Sequence, residues 1–195
     1  STNFGLGIIS DFLKSDALRG SEIMLHDINA TTLENTHKIA QKYCNELASD
    51  FLISATISRE EALKGADYCL ISIEVGSRFE LWEEDWKVPL QFGMKQVFGE
   101  NGGPGGLFHS LRIIPPILEI CGDIQRICAD AFVFNFLKPM QRVCHAVSTK
   151  FSELKFTGLC HEIKSMERQL PLLLKTNYAN IEYQAAGLNH LSILL

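Results

Sequence analysis

Cys160 and His190 are the two residues of this sequence best suited to hold a metal ion. A thiolate and an imidazole suit a borderline-soft divalent cation. Two protein ligands leave positions open for water or substrate, which a catalytic ion requires. His161 meets the same criterion as its neighbour, and Cys160 read alone is equally one more buried thiol. A second kind of chemistry lies in Gly99–Gly106, GENGGPGG, with five glycines and one proline. Glycine lets backbone N–H groups come close to a ligand. Pro104 suits the first turn of a helix, whose free N–H groups and positive dipole end then face the loop. Glu100 is the carboxylate of that loop. A tight surface turn before a helix is the plainer reading. Asp27 ends a short apolar run, where an acid can hydrogen-bond a ribose diol and disfavour a 2′-phosphate, so NAD is expected over NADP. Asp27 is also a candidate helix cap.

These residues need elements to position them, and the order of signals is an α/β alternation. SEIMLHD (21–27), DFLISAT (50–56) and YCLISIEVG (68–76) read as strands, as do AFVFNF (131–136), KFTGL (155–159) and IEYQAAGLNH (181–190). NATTLENTHKIAQKYCNEL (29–47) carries Leu33, Ile39, Ala40 and Tyr43 on one helical face. Ser58 and Glu61 have capping-box spacing at the start of a short helix over 58–67. A long helix is expected over 104–128, disturbed at Pro115-Pro116, with further helices over 139–149 and 161–174. This order predicts a doubly wound, mostly parallel sheet with helices on both faces. Ligands of such sheets gather at the carboxyl ends of the strands. Asp27, Glu74-Val75-Gly76, Asn135, Cys160-His161 and Asn189-His190 all fall at such ends. Asn135 alone could be a turn residue. Gly5-Leu6-Gly7 lies in a helical pattern with no third glycine, so its glycines read as packing residues. The first strand and glycine-rich turn of a dinucleotide fold are expected to be missing ahead of Ser1.

Bulk properties narrow the class. The 195 residues suffice for one sizeable core. A net charge of −5 without basic runs argues against a nucleic-acid surface. No apolar stretch is long enough to cross a bilayer, and the N-terminus lacks signal-peptide features. Six scattered cysteines without a CxxC pair suit reduced thiols in a cytoplasmic protein.

Taken together, several stretches resemble glycoside hydrolase family 4. FGENGGPGGLFHSLRIIP (98–115) resembles its GDT-x-GPGG-x-x-x-x-LR-x-IP signature. Gly158-Leu159-Cys160-His161 resembles its GLCH metal motif, and Gly187-Leu188-Asn189-His190 its G-[IL]-NH motif. Met24-Leu25-His26-Asp27-Ile28 resembles its strand ending in Asp, and Ser1 is what would remain of its G-x-G-S turn. The resemblance spans essentially the whole chain. It implies a Rossmann-like domain over 1–195, the nucleotide-binding part of a longer protein whose catalytic base lies beyond Leu195. It also implies a cytoplasmic homo-oligomer acting on a small glycoside, with neither nucleic acid nor membrane as partner.

The implied reaction uses NAD to oxidise the sugar at C3 and a divalent ion, usually manganese, to polarise the oxygens at C2 and C3. Loss of the C2 proton, elimination of the aglycone, addition of water and return of the hydride complete hydrolysis without the usual carboxylate pair. By this resemblance Cys160 and His190 are metal ligands, and Glu100 and His161 are catalytic. Ser1, Asp27, Val75 and Asn135 contact the cofactor, and Arg78 and Lys138 the substrate. The family's N-Y-T-N-P-M is Asn135-Phe136-Leu137-Lys138-Pro139-Met140 here, so Lys138 replaces a sugar-contacting Asn. A lysine there could pair with an anionic sugar substituent, or mark altered or lost activity. The Cys-His pair resembles the α-glycosidase and uronidase branches. Two rivals remain: a hydroxy-acid dehydrogenase of the same fold, and a non-catalytic NAD-binding fragment.

Overall fold

The computed structural model describes residues 2–96, 101–188 and 191–195. Helix α1 (Thr2–Leu13) leads into β1 (Glu22–His26), α2 (Ala30–Glu46), β2 (Leu52–Thr56) and the short α3 (Arg59–Leu63). Next come β3 (Tyr68–Ile71), α4 (Arg78–Gln91), α5 (Gly103–Ile127), β4 (Phe132–Asn135) and α6 (Met140–Lys150). β5 (Lys155–Gly158), α7 (His161–Leu174), β6 (Ala185–Leu188) and β7 (Leu191–Leu194) complete the order. β1 pairs in parallel with β2, and β3, β4 and β5 form a parallel three-stranded sheet in that order. β6 and β7 form an antiparallel pair. The strand expected near the C-terminus is therefore one arm of a hairpin.

Local chemistry sets the helix starts. Asn29 caps α2 by accepting from the Thr32 N–H at 2.9 Å. Asp27 is thus not the cap; its Oδ1 accepts from the Asn29 N–H at 2.8 Å and braces the turn. Ser58 caps α3 through the Glu61 N–H, but the Glu61 carboxylate takes the Thr56 hydroxyl instead of closing the capping box. Helix α5 runs through Pro115 and Pro116 as one 25-residue helix, so the expected disturbance does not break it. Against the described residues Gly5 and Gly7 do not serve packing: a Cβ at either would meet none of their atoms within 4 Å. Among the described residues, no helix is long and apolar enough to cross a membrane.

Two apolar clusters hold these elements. Ile113, Ile117, Cys121 and Ile124 of α5 pack with Val143 and Val147 of α6 against Cys69, Ile71 and Val133 of the sheet. Ile117, Ile124, Val133, Val143 and Val147 are fully buried. Each such side chain contributes roughly 1.5–3 kcal/mol. Ile9, Leu13, Ala40, Cys44, Phe51 and Ile53 form the second cluster, around β2. Among the described residues, the six cysteines form no disulfide.

Candidate active site at the carboxyl edge of the parallel sheet

Strand register brings the candidate residues together. Ile71 pairs with Asn135, and Asn135 with Gly158, so three strands end side by side. Two backbone bonds hold the exits: Phe136 N–H to the Ile71 carbonyl at 3.0 Å, and Leu159 N–H to the Asn135 carbonyl at 2.8 Å. Three residues beyond Asn135 comes Lys138, and two beyond Gly158 comes Cys160. Lys138 Nζ donates to Cys160 Sγ at 2.6 Å. Cys160 is the N-cap residue of α7 with extended backbone, and its side chain makes no capping bond. An N-terminal helix end favours negative charge on that sulfur. His161 begins α7 and is exposed.

Gly158 is required by close approach. A Cβ there would lie 2.4 Å from Cys144 Sγ and 2.6 Å from Met140 Sδ, both on α6. Asn135 is fully buried; its Nδ2 donates to the Leu137 carbonyl at 3.4 Å, and among the described residues its Oδ1 has no partner. A buried acceptor without a donor costs free energy, so such an atom at a strand end is a candidate ligand contact.

The glycine loop meets the same region from α5. Gly103 has φ +61°, and a Cβ there would meet Gln96 Oε1 at 2.8 Å. Arg142 Nε of α6 donates to the Asn101 carbonyl at 3.2 Å, tying the loop to the helix after β4. Gly105 and Gly106 are buried.

A second polar cluster lies between β3, α4 and α5. Arg112 of α5 forks onto the buried Asp85 of α4, one nitrogen at 2.9 Å from Oδ1 and the other on Oδ2. That hydrogen bond pushes the Arg112 guanidinium further up. Glu74, Val75, Arg78, Trp82 and His109 line a cavity of about 20 Å³ beside the pair. This volume admits a water, not a sugar. Arg78 sits 3.7 Å from Glu74 and over the Trp82 ring at 5.8 Å. The sequence predicts neither a helix here nor a role for Asp85; of α4 only Arg78 is singled out. The available signal was Leu81, Asp85 and Pro89 at helical spacing, disguised by a polar residue on the inward face.

The structure thus brings Asn135, Lys138 and Cys160 together and sets Val75 and Arg78 in the adjoining cluster. Asp27 lies past the end of β1, on the separate strand pair, and among the described residues its Oδ2 has no hydrogen-bond partner. Ser1, Glu100, Asn189 and His190 lie outside the described residues. Among the described residues, no three His, Cys, Asp or Glu side chains form a complete metal site. Cys160 nevertheless fits as one ligand: its sulfur is already the partner of a cation and lies at a helix N-terminus.

A parallel sheet with a glycine-rich helix entry and polar residues at its carboxyl edge defines a Rossmann-like α/β domain. The family 4 glycosyl hydrolase profile matches residues 1–176, and the chain belongs to that family. An alpha-glucosidase of Erwinia rhapontici is 54% identical over 195 residues, 100% of this chain and 43% of the relative. An alpha-galactosidase of Bacillus subtilis (strain 168) is 30% identical, again over 100% of this chain and 45% of its own. The structure of a 6-phospho-alpha-glucosidase from gut microorganisms in complex with NAD and Mn2+ superposes with a TM-score of 0.88 at 21% identity. It covers 100% of this chain and 44% of that one. The chain therefore spans somewhat under half the length of these relatives.

Proposed function

We propose that this chain is the nucleotide-binding part of an NAD- and divalent-metal-dependent glycosidase acting on α-glycosides. The reading is supported by family membership and, above all, by the strand register that gathers Asn135, Lys138 and Cys160 at one edge. It is favoured over a hydroxy-acid dehydrogenase because family membership is joined by a thiol, a soft metal ligand, at that edge. When bound, NAD supplies a hydride acceptor, and a divalent ion, manganese by our reading, supplies Lewis-acid polarisation of the sugar oxygens.

The chain's own residues take the following roles. Asp27 accepts hydrogen bonds from the adenosine ribose diol through its second oxygen. Asn135 offers its orphaned Oδ1 to the cofactor, and Val75 and Ser1 line that path. Cys160 and His190 hold the ion. His161 and Glu100 serve the proton transfers, Arg78 faces the sugar, and Lys138 reaches it on leaving Cys160. Six cysteines without a disulfide among the described residues fit a cytoplasmic setting, the net charge of −5 fits the absence of a nucleic-acid partner, and we expect a homo-oligomer. The similarity to the Erwinia rhapontici alpha-glucosidase supports an α-glucoside as the substrate to try.

The test is hydrolysis of a chromogenic α-glucoside by the full-length protein, with NAD and manganese each withheld in turn. Turnover should need both, and the Cys160→Ser variant should lose manganese-dependent turnover. Undiminished turnover after chelation and removal of NAD would overturn the reading. Asp27→Ala should weaken NAD binding by ~1–3 kcal/mol, the range for a lost charged hydrogen bond, as read by calorimetry.

A further inference from the structure

Lys138 reaches the metal-ligand candidate rather than bulk water. Its Nζ stands 2.6 Å from Cys160 Sγ, close to the ~2.3 Å at which a zinc ion would bond that sulfur. The contact is built in by the fold. The β4 exit fixes Lys138 through the Phe136 and Leu159 backbone bonds and the buried Pro139, while the β5 exit fixes Cys160. Both side chains are half-buried, so their charges are less screened than surface charges. A metal ion bonded to the sulfur and an ammonium held against it would repel each other strongly.

We propose that Lys138 competes with the metal for Cys160, its ammonium filling the cation's place beside the sulfur until a loading ion displaces it. The inference rests on the reading of Cys160 as a ligand. The resemblance puts a neutral Asn at this position in the family, and an Asn side chain supplies no such counter-charge. The lysine lowers metal affinity and keeps the sulfur partnered when no ion is bound. Once displaced, its long stem lets the ammonium turn toward the sugar.

The test is cobalt(II) titration of the full-length protein at one fixed pH, read by the thiolate-to-cobalt charge-transfer absorbance, with manganese affinity then measured by competition. Lys138→Met and Lys138→Asn should each bind cobalt at least ~10-fold more tightly than the unaltered protein. Lys138→Arg, which keeps the charge, should not. Cys160→Ser should abolish the absorbance band. Equal affinities in the unaltered, Met and Asn proteins, with the band intact, would overturn the competition while leaving Cys160 as a ligand. Tightening by Arg equal to that by Met would also overturn it, since charge would then not be the cause. Absence of the band in every protein would overturn both the competition and the reading of Cys160.

Discussion

Gly158→Ala tests whether close packing of β5 on α6 sets the position of Cys160. The added Cβ would lie 2.4 Å from Cys144 Sγ, 2.6 Å from Met140 Sδ and 2.8 Å from Met140 Cγ. All three distances are well inside van der Waals contact, and the two side chains sit one helical turn apart. Cys144 Sγ and Met140 Sδ lie 3.7 Å apart, so the added methyl would press on both sulfurs. Overpacking of this kind costs about 1–3 kcal/mol. For a chain of this size, 2 kcal/mol corresponds to a fall in Tm of roughly 4–8 °C. The strand end carries Cys160 with it, so cobalt affinity should fall together with Tm. Thermal unfolding and cobalt titration of the full-length variant measure both. The cause is checked by a cycle: in a Cys144→Ala background the nearest contact is gone, and Gly158→Ala should cost less. An unchanged Tm and cobalt affinity would refute the packing argument. An equal cost in both backgrounds would refute the assignment to Cys144.

Three further outcomes are expected. Arg112→Met leaves the buried Asp85 carboxylate without its fork and should destabilise the protein by ~3–5 kcal/mol in chemical denaturation; Asp85→Leu in the same chain should recover much of that loss. Asn135→Leu removes an acceptor that has no donor among the described residues, at the loss of only the long 3.4 Å bond from Nδ2 to the Leu137 carbonyl, so ligand-free stability should stay within about 1 kcal/mol, while NAD affinity falls. Burial pushes the Cys69 and Cys121 thiols up to about 12, against ~8.5 in an unfolded chain. The neutral thiols therefore favour the fold fully below about pH 8.5, and this contribution is lost as pH rises toward 12. Denaturation at pH 8 and pH 10 should show that loss, and Cys121→Ala should reduce it.

Much of the domain was legible because its signals are local. The alternation of short apolar runs with helical periodicities fixes an α/β order from the sequence alone, and Ser58 and Pro104 mark helix starts by their own chemistry, whereas the cap of α2 is Asn29 and not the candidate Asp27. The proposals that Cys160 is a soft ligand and Asp27 a diol partner rest on residue type and place in that order. Other features depended on contacts between distant segments. Helix α4 was hidden because its buried face contains Asp85, whose charge is tolerable only beside Arg112, 27 residues away. In the sequence Gly158 was only the opening residue of the stretch that carries Cys160; the sulfurs of α6 show why it must be glycine. Lys138 read as a sugar contact, and the lateral pairing of β4 with β5 turned it onto Cys160. Periodicity and caps are set by neighbours along the chain, whereas the partner of a charge is set by which strand lies alongside, and strand pairing is decided only when the chain folds.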